Sequence, residues 1–191
     1  MYRSRHEGKV YLFEDVLKYA RDAGILEITC LTHGQLIDDK KAEAIVEAQP
    51  SWISISLDGL GDTYNKIRTP PNKKNSSYNA FETVTNNIKR ICEIRDAKGY
   101  TRPQIRTNSV YPAIANDPTA YRDHMISIGV GWVTVNELLD FRGEHMPQEC
   151  IIDDWACHYP FQRLSVSANG IVTPCTGAHN EEPGLVLGRY R

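Results

Sequence analysis

Apolar positions recur with a helical period in four stretches of the chain, and a short run with strand character follows each one. The helical stretches are 13–23, 38–50, 79–99 and 117–129, and the strand-like runs are 26–32, 52–59, 103–110 and 131–138. Capping residues stand before three of these helices, and glycine or proline stands where the helices end: Asp38, Asn79, Asp117, Gly24, Pro50, Gly99 and Gly129. Alternation of this kind predicts parallel strands joined by crossover helices.

Three of the predicted strands keep one polar face. Polar side chains alternate with mostly apolar ones in WISISLD, PQIRTNSV and GWVTVNEL, at Ser54, Ser56, Asp58, Gln104, Arg106, Asn108, Thr134 and Asn136. A parallel strand covered on both sides is apolar on both faces, so this pattern predicts a wide barrel lumen or cleft that holds a polar ligand. An antiparallel sheet with one solvated side is the alternative, and the long helices between the strands count against it.

Polar groups also gather where the predicted strands end, at His33, Asp58, Asn108 and Glu137. Barrel enzymes build their sites at the carboxyl ends of the strands. We therefore expect an α/β fold with a partial TIM-like barrel of about four parallel βα units. The irregular segment 59–78 is too long for a passive connection, and a substrate-side lid and a disordered loop both remain open for it.

The pattern changes beyond residue 140, where proline, cysteine and aromatic residues precede a predicted hairpin. The runs RLSVS and IVTP form its strands, with Ala168, Asn169 and Gly170 in the turn. This predicts two domains, a barrel portion over 1–148 and a small extension over 149–191.

Composition narrows the classes of function. The 191 residues are 41% hydrophobic and 24% charged, with a formal net charge of −2, which predicts neither a nucleic-acid nor a membrane partner. The N-terminal residues contain no apolar signal region, and no apolar stretch is long enough to span a membrane. A cytoplasmic location is the resulting expectation.

Two of the five cysteines, Cys157 and Cys175, stand at the ends of the predicted hairpin. A disulfide, a zinc site, an iron–sulfur site and coincidence are all compatible with that placement, although an odd cysteine count disfavours a disulfide framework. Zinc would gain a Cys₂His₂ set from His158 and His179. Cys30 and Cys92 are interpreted as small buried side chains.

The successive motifs ITCLTHGQLI, ISISLDG, NKIR and CHYPFQRLSVSANGIVTPC resemble those of the radical S-adenosylmethionine enzymes that carry a SPASM or Twitch extension. The matching positions are Thr32-His33-Gly34, where members have Thr-Asn-Gly, then Ser56 to Gly59, Ile67-Arg68, and the spacing of Cys157, Gly170 and Cys175. The resemblance covers roughly residues 12 to 190.

This resemblance implies cofactors and roles. It implies that Cys157 and Cys175 ligate an auxiliary 4Fe-4S cluster. It implies that S-adenosyl-L-methionine lies near Ser56, Asp58, Arg106 and Asn108, with Arg106 suited to the methionine carboxylate. The expected reaction is reductive cleavage of that cofactor and hydrogen abstraction from a peptide or small-molecule substrate, with a possible redox donor as partner.

Departures from the family are also visible. The Cys-x-x-x-Cys-x-x-Cys loop that binds the catalytic cluster in the family does not occur in the 191 residues. The first recognisable element corresponds to the second barrel helix, so we expect the middle and C-terminal part of a longer enzyme, inactive alone. Two other functions remain open: a non-catalytic metal-binding scaffold, and an unrelated barrel hydrolase that uses Asp58, His33 and Glu137.

Overall fold

The structure, a computed structural model, describes residues 3–6, 9–68, 78–138, 156–167, 169–176 and 183–190. The chain divides into two compact units, Met1–Leu138 and Leu139–Arg191. The predicted division between residues 148 and 149 falls in the stretch 139–155, which lies outside the described residues.

The first unit holds most of the regular structure. Its elements are β1 (Arg3–His6), β2 (Lys9–Leu12), α1 (Phe13–Asp22), β3 (Thr29–Thr32), α2 (Asp39–Ala48), β4 (Trp52–Ser56), α3 (Gly61–Ile67), α4 (Ala80–Ala97), β5 (Gln104–Val110), α5 (Tyr111–Ile114), α6 (Pro118–Ser127) and β6 (Trp132–Asn136). β1 and β2 form an antiparallel pair that the sequence pattern did not predict.

Strands β3, β4, β5 and β6 form one parallel sheet in that order. The predicted α/β class with parallel strands is thereby confirmed, and the antiparallel alternative is wrong. Within the described residues β3 and β6 are the edges of this sheet. Its register aligns Ser54 with Leu31 on one side and with Arg106 on the other.

The helices pack against one face of the sheet. Ile53, Ile55 and Leu57 of the β4 segment are fully buried there, in one cluster with Ile45 of α2 and Ile88 of α4. Burial of such side chains contributes about 1.5–3 kcal/mol each to folding. The core therefore lies between the sheet and its helices, and the polar residues of the strands occupy the opposite face.

Side-chain caps fix where three helices begin, as predicted. The side chain of Asp38 accepts a hydrogen bond from the Lys41 amide, and Asp117 accepts one from the Ala120 amide. Asn79 caps α4 in the same way. These contacts satisfy amides that have no partner within the helix.

Tyr121 joins α6 to the end of β4. Its ring is 1% exposed, and its hydroxyl donates to the Leu57 carbonyl over 2.7 Å. Burial raises the pKa of this phenol to about 12.

Several predicted boundaries were wrong. β3 begins at Thr29 rather than residue 26, and Leu26 is 91% exposed. β4 ends at Ser56 and β6 spans 132–136, so both are shorter than the predicted strands 52–59 and 131–138. In α1 only part of the predicted helical period of apolar residues is buried, since Leu17 is buried whereas Val16 is 47% exposed.

Two short helices were missed. α3 lies inside the segment that was predicted to be irregular, and α5 follows β5 directly. Each is too short to display a helical period, and α3 buries a single large side chain, Tyr64. Residues 69–77 of that segment lie outside the described residues.

The second unit contains a small antiparallel sheet. A 3₁₀ turn at Tyr159–Phe161 precedes β7 (Ser165–Val166), β8 (Ile171–Thr173) and β9 (Gly188–Arg189), and β8 pairs with both neighbours. β7 and β8 lie within the predicted strands, and β9 was not predicted. Gly170 has φ +83°, and an added Cβ there would lie 2.6 Å from the Tyr190 carbonyl oxygen, so glycine is required. Ala168 lies outside the described residues.

No helix in the described ranges has the length and apolar character needed to cross a lipid bilayer.

Candidate functional site

Three polar side chains meet on the face of the sheet away from the helices. Ser54 of β4 is 1% exposed, and its hydroxyl accepts hydrogen bonds from Arg106 Nε, at 3.1 Å, and from Asn108 Nδ2 on β5. Ser56 shares the face and pairs in register with Asn108. In a parallel sheet, side chains that pair in register point to the same face. Because the polar side chains occupy every second position of β4 and β5, their alternation in the sequence could predict this cluster.

Arg106 is the charged member of the cluster. Its side chain is half-buried, and no carboxylate of the described residues lies within 4.0 Å of its guanidinium. In the described part of the chain its hydrogen bond runs from Nε to Ser54, which leaves the two terminal nitrogens as donors. A half-buried guanidinium without an acid beside it is suited to a carboxylate or phosphate ligand.

Large apolar side chains flank this cluster at the sheet edges. Leu31 of β3 is 68% exposed and Trp132 of β6 is 60% exposed. Leu31 pairs in register with Ser54, and Trp132 pairs in register with Arg106. Across the sheet, two polar side chains therefore lie between two apolar ones at its edges.

Asp58 lies beyond the end of β4 and is 5% exposed. Its Oδ2 accepts from Arg68 Nε at 2.8 Å and lies 2.6 Å from a terminal guanidinium nitrogen of the same residue. Its Oδ1 accepts from the Val110 amide at 3.1 Å. Both carboxylate oxygens are thus engaged in joining β4, α3 and β5. The cofactor role predicted for Asp58 stays a prediction.

A cavity of about 360 Å³ opens at the carboxyl end of β3. Its lining, among the described residues, comes from the start of α1, the end of β3 and its following turn, α2, Ser56 and Arg68: Phe13, Glu14, Leu31, Thr32, His33, Leu36, Ile37, Lys41, Ile45, Ser56 and Arg68. Ser56 and Leu31 therefore border both this cavity and the polar face.

Two features favour the neutral form of His33, whose side chain is exposed. Its Nδ1 accepts a hydrogen bond from the Gln35 amide at 3.2 Å, which requires that nitrogen to be unprotonated. Partial burial lowers the pKa of His33 from its usual 6.5, and the positive charge of Arg68 acts in the same direction.

The residues of the hydrolase alternative do not form a catalytic group in the described structure. His33 follows β3 and Glu137 follows β6, at opposite edges of the sheet. Three strand spacings, ~14 Å along the sheet, separate those edges. Asp58 is engaged by Arg68 rather than by His33.

Cys157 and Cys175 are free thiols, the first exposed and the second half-buried. Among the described residues no three or more histidine, cysteine, aspartate or glutamate side chains gather as a metal site. Cys150 and His179 lie outside those residues. The described residues of the second unit thus contain two cysteines, where an iron–sulfur cluster takes four ligands.

Cys30 and Cys92 have little thiolate character. Burial raises the pKa of Cys30 to about 11 and also raises that of Cys92. The Cys92 thiol is 6% exposed and donates to the Gly129 carbonyl at 3.4 Å, so its interpretation as a small buried side chain is confirmed. Cys30 is only half-buried.

Sequence reasoning missed a polar network at the base of the 59–78 segment. Gln35 donates to the Tyr64 hydroxyl at 3.2 Å and accepts from the Tyr78 hydroxyl at 3.4 Å. These contacts hold α3 and the start of α4 to the turn after β3. No local pattern signals them, because the three residues are far apart in sequence.

Comparison with known proteins adds no further constraint. No family model matches this chain, and no curated protein matches it either.

Proposed function

We propose that this chain is part of a radical S-adenosylmethionine enzyme and that the polar face of its parallel sheet binds the cofactor. The observation that carries the proposal is Arg106, a half-buried guanidinium held by Ser54 with no acidic partner among the described residues. Packing alone gives no reason for a cation at this position, since burying an unpaired charge destabilises the fold.

The residues present fit the cofactor. The terminal nitrogens of Arg106 can form two parallel hydrogen bonds to an α-carboxylate. Asn108 and Ser56 add an amide and a hydroxyl on the same face, which can bond to polar groups of the amino acid or ribose parts. The apolar borders at Leu31 and Trp132 limit the access of water to a bound sulfonium compound.

When bound, a reduced iron–sulfur cluster supplies the electron for reductive cleavage of S-adenosylmethionine. The ligand loop of the catalytic cluster is not among the 191 residues. The part of this chain in the proposed reaction is to hold the carboxylate end of the cofactor at Arg106 and to orient the rest along the strand ends. A peptide or small molecule is the proposed substrate, with an external redox donor.

We further propose that Cys157 and Cys175 ligate an auxiliary 4Fe-4S cluster. Soft thiolates favour iron–sulfur clusters, and the two cysteines flank the β7–β8 pair, whose turn Gly170 permits. The remaining ligands would come from other residues. A zinc site completed by His158 and His179 is the competing arrangement, and it would make the second unit a non-catalytic scaffold.

Cofactor binding is tested by titrating the 191-residue chain with S-adenosylmethionine in a calorimeter under anaerobic conditions. Arg106→Ala is expected to weaken binding about tenfold or more, because a charge-assisted hydrogen-bond pair is lost. The matched control is Arg122→Ala, which removes a guanidinium from a solvent-exposed pair on α6 and should leave affinity unchanged. Equal affinity of Arg106→Ala and the parent, or no binding by the parent, would contradict the proposal.

The cluster is tested by anaerobic reconstitution with iron and sulfide. The parent chain is expected to turn brown and to retain iron and sulfide, and the double variant Cys157→Ala, Cys175→Ala is expected to lose both. Cys30→Ala is the control, because that thiol is half-buried and its pKa is raised by burial. Uptake of zinc alone would favour the scaffold, and a colourless, metal-free chain would contradict both arrangements.

A further inference from the structure

We infer that the cavity at the end of β3 is a second binding site, which takes a small carboxylate with an apolar body. It is distinct from the cofactor site proposed above, with which it shares only Ser56 and Leu31 at its border. The chemistry of the lining alone points to this ligand, and its binding does not require the radical reaction.

The walls of the cavity are apolar. Five of the described lining residues are Phe13, Leu31, Leu36, Ile37 and Ile45. Leu31 and Leu36 remain 68% and 40% exposed, so a ligand that covers them removes apolar surface from water. This favours a ligand with an aliphatic or aromatic body.

The polar groups of the lining are mostly hydrogen-bond donors. His33 uses Nδ1 as an acceptor toward Gln35, so the neutral ring carries its proton on Nε2. Arg68 binds Asp58 through Nε and one terminal nitrogen, which leaves its other terminal nitrogen as a donor. The Ser56 hydroxyl adds a further donor.

The charges of the lining also favour an acidic ligand. Lys41 and Arg68 are cations, and Glu14 is the one acid among the described lining residues. Each cation has an acidic partner, since Lys41 binds Asp38 and Arg68 binds Asp58. These two aspartates are not part of the cavity lining. A ligand carboxylate therefore meets donors at His33, Ser56 and Arg68, whereas an ammonium would find Glu14 alone.

The size is that of a small molecule. A volume of about 360 Å³ is at the lower end of ordinary ligand pockets. Phenylacetate and 4-methylpentanoate have the required combination of a compact apolar body and one carboxylate. The end of a peptide chain with an apolar last residue offers the same chemistry.

Binding is tested by titrating the parent chain with phenylacetate while following its ¹H–¹⁵N and histidine NMR signals. We expect saturable shifts that include His33, and affinity for phenylacetamide about tenfold weaker, because the amide lacks the charge. A peptide ending in phenylalanine is titrated in parallel: binding of both acids indicates a chain end as natural ligand, and binding of phenylacetate alone indicates a small molecule.

Leu36→Glu places a negative charge at the cavity and is expected to reduce phenylacetate affinity about tenfold or more. Leu26→Glu is the matched control, because Leu26 is 91% exposed and is not part of the lining. Both variants are checked for an unchanged circular dichroism spectrum. Arg106→Ala should leave phenylacetate binding intact, which separates this site from the proposed cofactor site. Any of three results would overturn the inference: shifts that do not saturate, equal affinity for phenylacetate and phenylacetamide, or an equal loss of affinity in Leu36→Glu and Leu26→Glu.

Discussion

Breaking the ion pair between Asp58 and Arg68 should be among the most destabilising side-chain changes in the first unit. The carboxylate is 7% exposed and the guanidinium 37% exposed, with Oδ2 2.6 Å from the nearest guanidinium nitrogen. Asp58 also accepts from the Val110 amide. Removing either partner leaves the other without its counter-charge, which costs about 3–5 kcal/mol for a buried pair.

The two single substitutions should differ in a defined direction. Asp58→Asn keeps a side-chain oxygen for the Val110 amide and leaves a guanidinium that can turn toward water. We therefore expect the lower end, a loss of about 3 kcal/mol in the free energy of unfolding. Arg68→Ala leaves a carboxylate that is almost completely buried, so its loss should be larger, about 4 kcal/mol. The double variant should be less destabilised than the sum, with a coupling of about 2 kcal/mol.

Urea unfolding, followed by far-ultraviolet circular dichroism and by tryptophan fluorescence, measures these free energies when the two transitions coincide. The control cycle uses Arg122 and Asp123, whose side chains are 2.8 Å apart but 60% and 59% exposed. Exposed pairs couple by about 1 kcal/mol at most. If the Asp58–Arg68 coupling were no larger than that of the control pair, burial would not be what makes this contact strong, and the reasoning would be refuted.

Three further predictions follow from single residues. Gly59→Ala should destabilise more than Gly24→Ala in urea unfolding, because both have φ above +80° but only at Gly59 would an added Cβ meet other atoms, the nearest at 2.6 Å; equal losses would contradict this. Tyr121→Phe should lower the free energy of unfolding by about 1–2 kcal/mol, because it leaves the buried Leu57 carbonyl unpaired. Tyr19→Phe, at a side chain that is 76% exposed, should leave that free energy almost unchanged. His33 should titrate below pH 6.5 by NMR, and stability should fall as the pH drops below 6.5, because there the unfolded imidazole gains a proton that the folded one does not; a His33→Gln variant should lose that part of the slope.

The parallel sheet could be predicted because its signals are local. The caps at Asp38, Asn79 and Asp117 lie within three residues of the amides they bind. Alternation within β4 and β5 is likewise a property of neighbouring residues, and strand register then brings Ser54 to Arg106 and Asn108 without further information.

The parts that could not be predicted depend on contacts between distant residues. Leu26 was assigned to a strand because it is apolar, yet β3 begins only at Thr29, where pairing with Trp52 starts. The partner of Asp58 could not be predicted either. Arg68 is separated from it by α3, whose seven residues are too few to show a helical period of apolar residues. The partner of an apolar or charged side chain depends on the tertiary structure. It cannot be predicted from the sequence of one strand or helix.

The contacts also show which of the candidate site residues the fold alone explains. In the Ser-Leu-Asp-Gly motif, Asp58 joins three elements through Arg68 and Val110, and Gly59 lies where an added Cβ would meet backbone and side-chain atoms. The fold alone therefore accounts for both residues. Arg106 is different, because its described contacts provide one hydroxyl and no counter-charge for a half-buried cation. An anionic ligand would supply the counter-charge that the described residues do not, so Arg106, more than the motif, is the residue on which a binding function for this face depends.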